Sequence, residues 1–137
     1  MAQLHLKIVT PERVTFDALV EMVTLPSVEG ELGILPHHAN LMARLAPGEL
    51  RVKRGGKIEI LAVGDGFVQV TNNTLTILTD LAVDEKEIDE KAVEQAKQRA
   101  EKALEDKLSN EEYAETWAVL KKSLAQLKVK RRHRSHA

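Results

Sequence analysis

Apolar and polar positions alternate over the first part of the chain. Leu4, Leu6 and Ile8 interleave with His5, Lys7 and Val9, the two-residue period of a half-buried strand. Thr10-Pro11-Glu12-Arg13 reads as a turn, with proline in its usual early position. Residues 14–16 and 19–25 are further β-rich runs, the second ending at Pro26, and residues 41–45 precede a turn at Pro47-Gly48. Gly55-Gly56, between the runs 50–54 and 57–63, has the signature of a two-residue hairpin. Asn72-Asn73, between 66–71 and 74–79, has the same build, since asparagine tolerates positive φ. Roughly eight to ten short strands at this spacing predict an antiparallel β-sandwich or flattened barrel.

One stretch interrupts these strands. Glu29-Gly30-Glu31-Leu32-Gly33-Ile34-Leu35-Pro36-His37-His38-Ala39 is punctuated by Gly and Pro. Pro36 fixes φ and lacks a donor, so this stretch is not a central strand. It reads as an irregular corner: either plain backbone geometry or a rigid loop that carries contacts.

From Asp84 onward there is no Gly or Pro, and the pattern becomes helical. Asp89 is the expected N-cap. Ala92, Ala96, Ala100 and Ala103 form one face of small residues that permits close helix packing. Ser109 and Glu112 form a capping box, and Tyr113, Trp117, Leu120, Leu124 and Leu127 follow as one apolar stripe. The expectation is two helices of roughly 18 residues joined at 107–110, with the Tyr113/Trp117 stripe as helix–helix core. The domains are thus residues 1–84, a β-sandwich, and residues 85–137, a helical hairpin with a tail. A lone hairpin buries little apolar area. It needs its own β-domain or a partner to hold it, which makes it a candidate switch.

Composition narrows the chemistry. Hydrophobic residues make up 43% but aromatics only 3%, so the core is built from Val, Leu, Ile and Ala. With no cysteine, disulfides, thiolate catalysis and Cys-ligated zinc are excluded. No apolar run approaches the roughly 20 residues of a membrane span, and residues 1–7 lack a signal-peptide pattern. These features predict a soluble protein of a reducing compartment. The net charge of −1 conceals a gradient: no acidic residue follows Glu115, and Lys128, Lys130, Arg131, Arg132 and Arg134 crowd the tail. Such a tail is either solvated or docks on an acidic partner.

No catalytic constellation is expected. His37 and His38 are adjacent, which on a strand sends them to opposite faces, and no second histidine pair lies at ligand spacing. There is no nucleophile elbow, and Gly64-Asp65-Gly66 is too short for a phosphate loop. The tail lacks the interleaved aromatics of a nucleic-acid binder.

The order of features, with Val9-Thr10-Pro11, the Gly30–Ala39 loop, Leu75-Thr76-Ile77-Leu78 and the helix start at Ile88-Asp89, resembles the family of ε subunits of F-type ATP synthase. The resemblance covers essentially the whole chain. It implies a non-catalytic subunit of the rotating central stalk of a proton- or sodium-transporting synthase. Its partners would be the γ subunit, the ring of c subunits and, transiently, the catalytic α/β subunits. It would be peripheral to the cytoplasmic face of a bacterial membrane, or to the equivalent organellar one. Glu31 and His38 are the implied c-ring contacts. The hairpin would extend to inhibit ATP hydrolysis, with Lys121, Lys122, Lys128, Lys130, Arg131 and Arg132 meeting an acidic segment of a catalytic subunit.

Some relatives bind ATP in the folded hairpin. Here Asp89 and Arg99 match that pattern, but Ala92 and Val93 stand where Arg and Ala are expected. Lys122 and Gln126 likewise replace arginines, and Lys does not reproduce a guanidinium fork. Weak nucleotide binding or none is expected, and no other cofactor. Asn40 and Asp65 also depart from the family pattern, at positions that should leave the fold unchanged. The reading from another class is a free-standing module whose basic tail binds a polyanion.

Overall fold

The computed structural model describes residues 2–133; Met1 and residues 134–137, with the last part of the basic tail, lie outside the described residues. Ten strands come first: β1 (Leu4–Val9), β2 (Val14–Val20), β3 (Met22–Ser27), β4 (Gly30–Ile34), β5 (Leu41–Leu45), β6 (Gly48–Arg54), β7 (Lys57–Val63), β8 (Gly66–Thr71), β9 (Thr74–Thr79) and β10 (Ala82–Asp84). A 3-10 turn (Glu85–Glu87) leads to α1 (Glu90–Ala103) and α2 (Asn110–His133). The strands form one sheet in the order β10-β7-β6-β3-β5-β8-β9-β1-β2, with β4 paired to β3 off that path. The sheet curls until Arg54 on β6 stacks over the Phe16 ring on β2, 5.1 Å from its centroid. This is the expected flattened barrel followed by a helical pair. One pairing, β1 with β9, runs parallel within the otherwise antiparallel sheet.

Alternation places the core. Leu4, Leu6 and Ile8 of β1, Leu50 and Val52 of β6, and Leu75 and Ile77 of β9 are fully buried in one cluster. None of the four aromatic residues is buried. Both predicted hairpins are present, with positive φ at Gly55 and Gly56 (60° and 76°) and at Asn72 and Asn73 (49° and 56°).

Three local expectations need correction. Half of the supposed irregular corner is a strand: β4 pairs with β3 from Val23↔Ile34 to Ser27↔Gly30. Pro36 falls just beyond it, so the proline ends the strand without preventing it. The helices are unequal, 14 and 24 residues. Without Gly or Pro, packing and capping set their ends: Leu104 closes α1 by donating back to Ala100, and Ser109 with Glu112 opens α2 through reciprocal bonds of 3.1 Å each. The Tyr113/Trp117 stripe is not helix–helix core, for Tyr113, Trp117 and Leu124 are 52%, 44% and 45% exposed while Leu120 and Leu127 are buried.

Candidate functional site

Two surfaces carry the predicted residues: the seat where α2 meets the sheet, and the corner after β4. The seat is apolar but small. Ala62 on β7, Ile88 before α1 and Val129 on α2 are buried together, flanked by Ile60, Val83 and Val93. This cluster is separate from the barrel core. Asp89 caps α1 by accepting from the Ala92 amide at 3.1 Å, as its sequence position predicts.

Around the seat, the basic residues of α2 are engaged by the protein's own acids. Lys121 Nζ lies 2.7 Å from Asp65 Oδ2, and Lys130 Nζ lies 3.7 Å from a Glu85 carboxylate oxygen. Arg131 reaches back to α1, with Nε 3.1 Å from Glu90 and a terminal nitrogen 2.9 Å from Glu94. Its hydrogen bond holds the Glu94 carboxyl below its usual range. Arg132 lies 3.4 Å and His133 Nε2 2.5 Å from oxygens of Glu49 on β6. Among the described residues, Lys122 and Lys128 make no ion pair. The six cations therefore do not form one free basic patch among the described residues.

Glu49 is the residue that sequence reasoning missed. Its side chain is only 8% exposed and accepts from Arg51 at 2.8 Å as well as from His133. Burial pushes its carboxyl up, but the bonds from Arg51 and His133 and the Arg132 charge outweigh that and hold it below the ordinary carboxylate value. Arg51 also reaches Glu31 at 3.1 Å. The signal was faint: Glu49 and Arg51 sit two apart on one strand, hence on one face. Nothing local announces that the end of α2 covers them.

The corner is built differently. The His38 amide donates to the Leu35 carbonyl at 3.2 Å, closing a turn with Pro36 and then His37 at φ 64°. Asn73 clamps this turn: its side-chain oxygen accepts from the His37 amide at 2.8 Å, and its side-chain nitrogen donates to the Gln3 carbonyl at 2.7 Å. His38 is half-buried, with Nδ1 2.7 Å from the Ala39 carbonyl oxygen. Glu31 is not beside it, since Glu31 pairs opposite Pro26 near the other end of β4. About four residues of strand, roughly 13 Å, separate Glu31 from the start of the turn. Asn40 and Asp65 lie outside the strands, at the starts of β5 and β8.

Beside Glu29, a cleft of about 320 Å³ is lined by Val28, Leu32, Leu41 and Met42 among others. Met42, Phe67 and Leu78 are exposed on the sheet, with Phe67 directly opposite Leu78. Arg99 is exposed on α1, and Asp89 is committed to its cap. Among the described residues no group of acids and histidines is placed to hold a metal ion, and no helix is long and apolar enough to cross a membrane.

Comparison with known proteins adds the family context. The family described as ATP synthase, Delta/Epsilon chain, beta-sandwich domain matches residues 3–85, and its long alpha-helix domain matches residues 86–131. The chain is 42% identical over 132 residues to an ATP synthase epsilon chain of Herpetosiphon aurantiacus, covering 96% of this chain and 97% of that one. It is 42% identical over 137 residues to an ATP synthase epsilon chain of Dehalococcoides mccartyi, covering 99% and 98%. Among solved structures, a chain of the Euglena gracilis mitochondrial ATP synthase, in an assembly of OSCP, F1 and c-ring, superposes with TM-score 0.70 at 25% identity, over 99% of this chain and 83% of that one. A chain from the central stalk and c-ring of the Tetrahymena thermophila enzyme shares the fold, with TM-score 0.62 at 19% identity over 92% and 95%.

Proposed function

The chain belongs to the delta/epsilon chain family of ATP synthase, and we propose that it is a non-catalytic central-stalk subunit whose hairpin brakes ATP hydrolysis. Residues 1–84 act as the anchor. The exposed Met42, Phe67 and Leu78 and the cleft beside Glu29 give an apolar surface suited to a γ subunit. The rigid turn at His38 and the exposed carboxylate of Glu31 offer polar contacts to the loops of a c-ring. With Glu31 and His38 at opposite ends of β4, they would touch different parts of that partner. Membrane association on the cytoplasmic side would come through the complex.

Residues 85–137 form the regulatory part. The observation that carries this reading is the pairing of Lys121, Lys130, Arg131 and Arg132 with acids of their own chain around a small apolar seat. A helix so held can exchange the β-domain acids that meet Lys121 and Arg132 for those of a catalytic subunit at little net electrostatic cost. The exposed Tyr113, Trp117 and Leu124 would be covered once the helix lies along a partner. Asp89 and Arg99 do not assemble a phosphate cradle, so nucleotide is not part of the mechanism proposed.

Lys122 and Lys128 allow a clean test, because replacing them breaks no internal ion pair among the described residues. Lys122→Ala with Lys128→Ala should weaken inhibition of hydrolysis in the reconstituted complex while the free protein keeps its hairpin docked. Inhibition equal to wild type would remove these two side chains from the contact with the catalytic subunits.

A further inference from the structure

We infer that the Glu49 carboxylate is the latch that holds the C-terminal end of α2 on the β-sheet, and that its charge sets how often the hairpin lifts. The four residues that close α2 fan out to different elements. Lys130 goes to Glu85 in the connecting 3-10 turn, and Arg131 goes to Glu90 and Glu94 on α1. Those pairs lie at the hinge or within the hairpin, so they survive if the two helices swing away together. Arg132 and His133 instead cross to Glu49 on β6, and their pairs must break.

Only one other ion pair of the described residues joins the helices to a strand or strand-flanking loop: Lys121 with Asp65. Both its side chains are more than a third exposed, which makes it a weak, solvent-screened contact. Glu49 is different, because its carboxylate is nearly buried and faces two guanidinium groups and an imidazole: Arg51 beside it on β6, and Arg132 and His133 from α2. Neutralising it leaves those donors facing a seat built for an anion. The apolar seat is too small to hold the hairpin alone, since Ala62, Ile88 and Val129 are its only buried members among the described residues.

The chain has no cysteine, so one introduced thiol reports opening without interference. Ala62→Cys places it under Val129, where it reacts with a thiol reagent only when the hairpin lifts. In full-length protein carrying this probe, Glu49→Gln should raise the labelling rate about tenfold, the effect of losing a charge-assisted bond. Arg132→Ala with His133→Ala should give a similar rise, and all three together should give no further rise. A Val70→Cys probe in the barrel core should label at an unchanged rate, which separates lifting of the hairpin from unfolding. If Glu49→Gln proves unfolded by that probe, the Arg132/His133 variant decides alone. An unchanged labelling rate of the Ala62→Cys probe, or fully additive effects of the two sets, overturns the latch.

Discussion

Val129→Ala should lift the hairpin without weakening the barrel. Val129 is 1% exposed and packs on Ala62 and Ile88, in a cluster separate from the barrel core. Losing two methyl groups costs about 1.6 kcal/mol at about 0.8 per group, and incomplete collapse of the gap brings this to about 2 kcal/mol. At 1.4 kcal/mol per factor of ten, the lifted-to-docked ratio should rise roughly 30-fold. Thiol labelling of the Ala62→Cys probe beneath α2 reads that ratio, and thermal denaturation reads the barrel. Leu124→Ala, made at an exposed position on the same helix, should change either by no more than about 0.5 kcal/mol. The reasoning is refuted if Val129→Ala leaves that labelling rate unaltered, or if it lowers barrel stability as much as it loosens the seat. The first would mean the seat contributes nothing to docking. The second would mean that barrel and hairpin are one cooperative unit.

Two further outcomes follow from the geometry. Asn73→Ala removes the acceptor for the His37 amide and the donor to Gln3, at a residue whose φ of 56° suits asparagine. It should cost about 1–3 kcal/mol and speed exchange at residues 36–38 first, whereas uniform loosening of the barrel would contradict a local clamp. Acid should lift the hairpin through Glu49. Its docked-state pKa is depressed, so its contribution is complete above the ordinary value of 4.5 and is lost as pH falls through the depressed one. Labelling of the Ala62→Cys probe, taken relative to an exposed cysteine at the same pH because the thiolate fraction falls in acid, should therefore rise below that pH when Glu49 is intact, and an equal rise with Glu49→Gln would assign the effect to other groups.

Much of this fold was legible because its signals are local. Alternation in residues 4–9 places three leucine and isoleucine side chains inside, and Gly55-Gly56 and Asn72-Asn73 dictate their own turns. The Ser109/Glu112 capping box gives the start of α2 to within a residue. What escaped depends on contacts distant in sequence. β4 looks like a loop because its glycines lower strand propensity, yet pairing with β3 satisfies its backbone. The stripe of Tyr113, Trp117 and Leu124 has core periodicity, but only Leu120 and Leu127 of that stripe are covered once α2 packs. Arg132 and Glu49 are 83 residues apart, and no pattern pairs them before α2 is placed on the sheet.

The most direct test of the account is ATP hydrolysis by the reconstituted catalytic complex, with the full-length chain and with a form ending at Asp84. The account predicts that the shortened form still binds the complex and that hydrolysis is faster than with the full chain. Equal rates with binding intact would contradict a hairpin that acts as a brake.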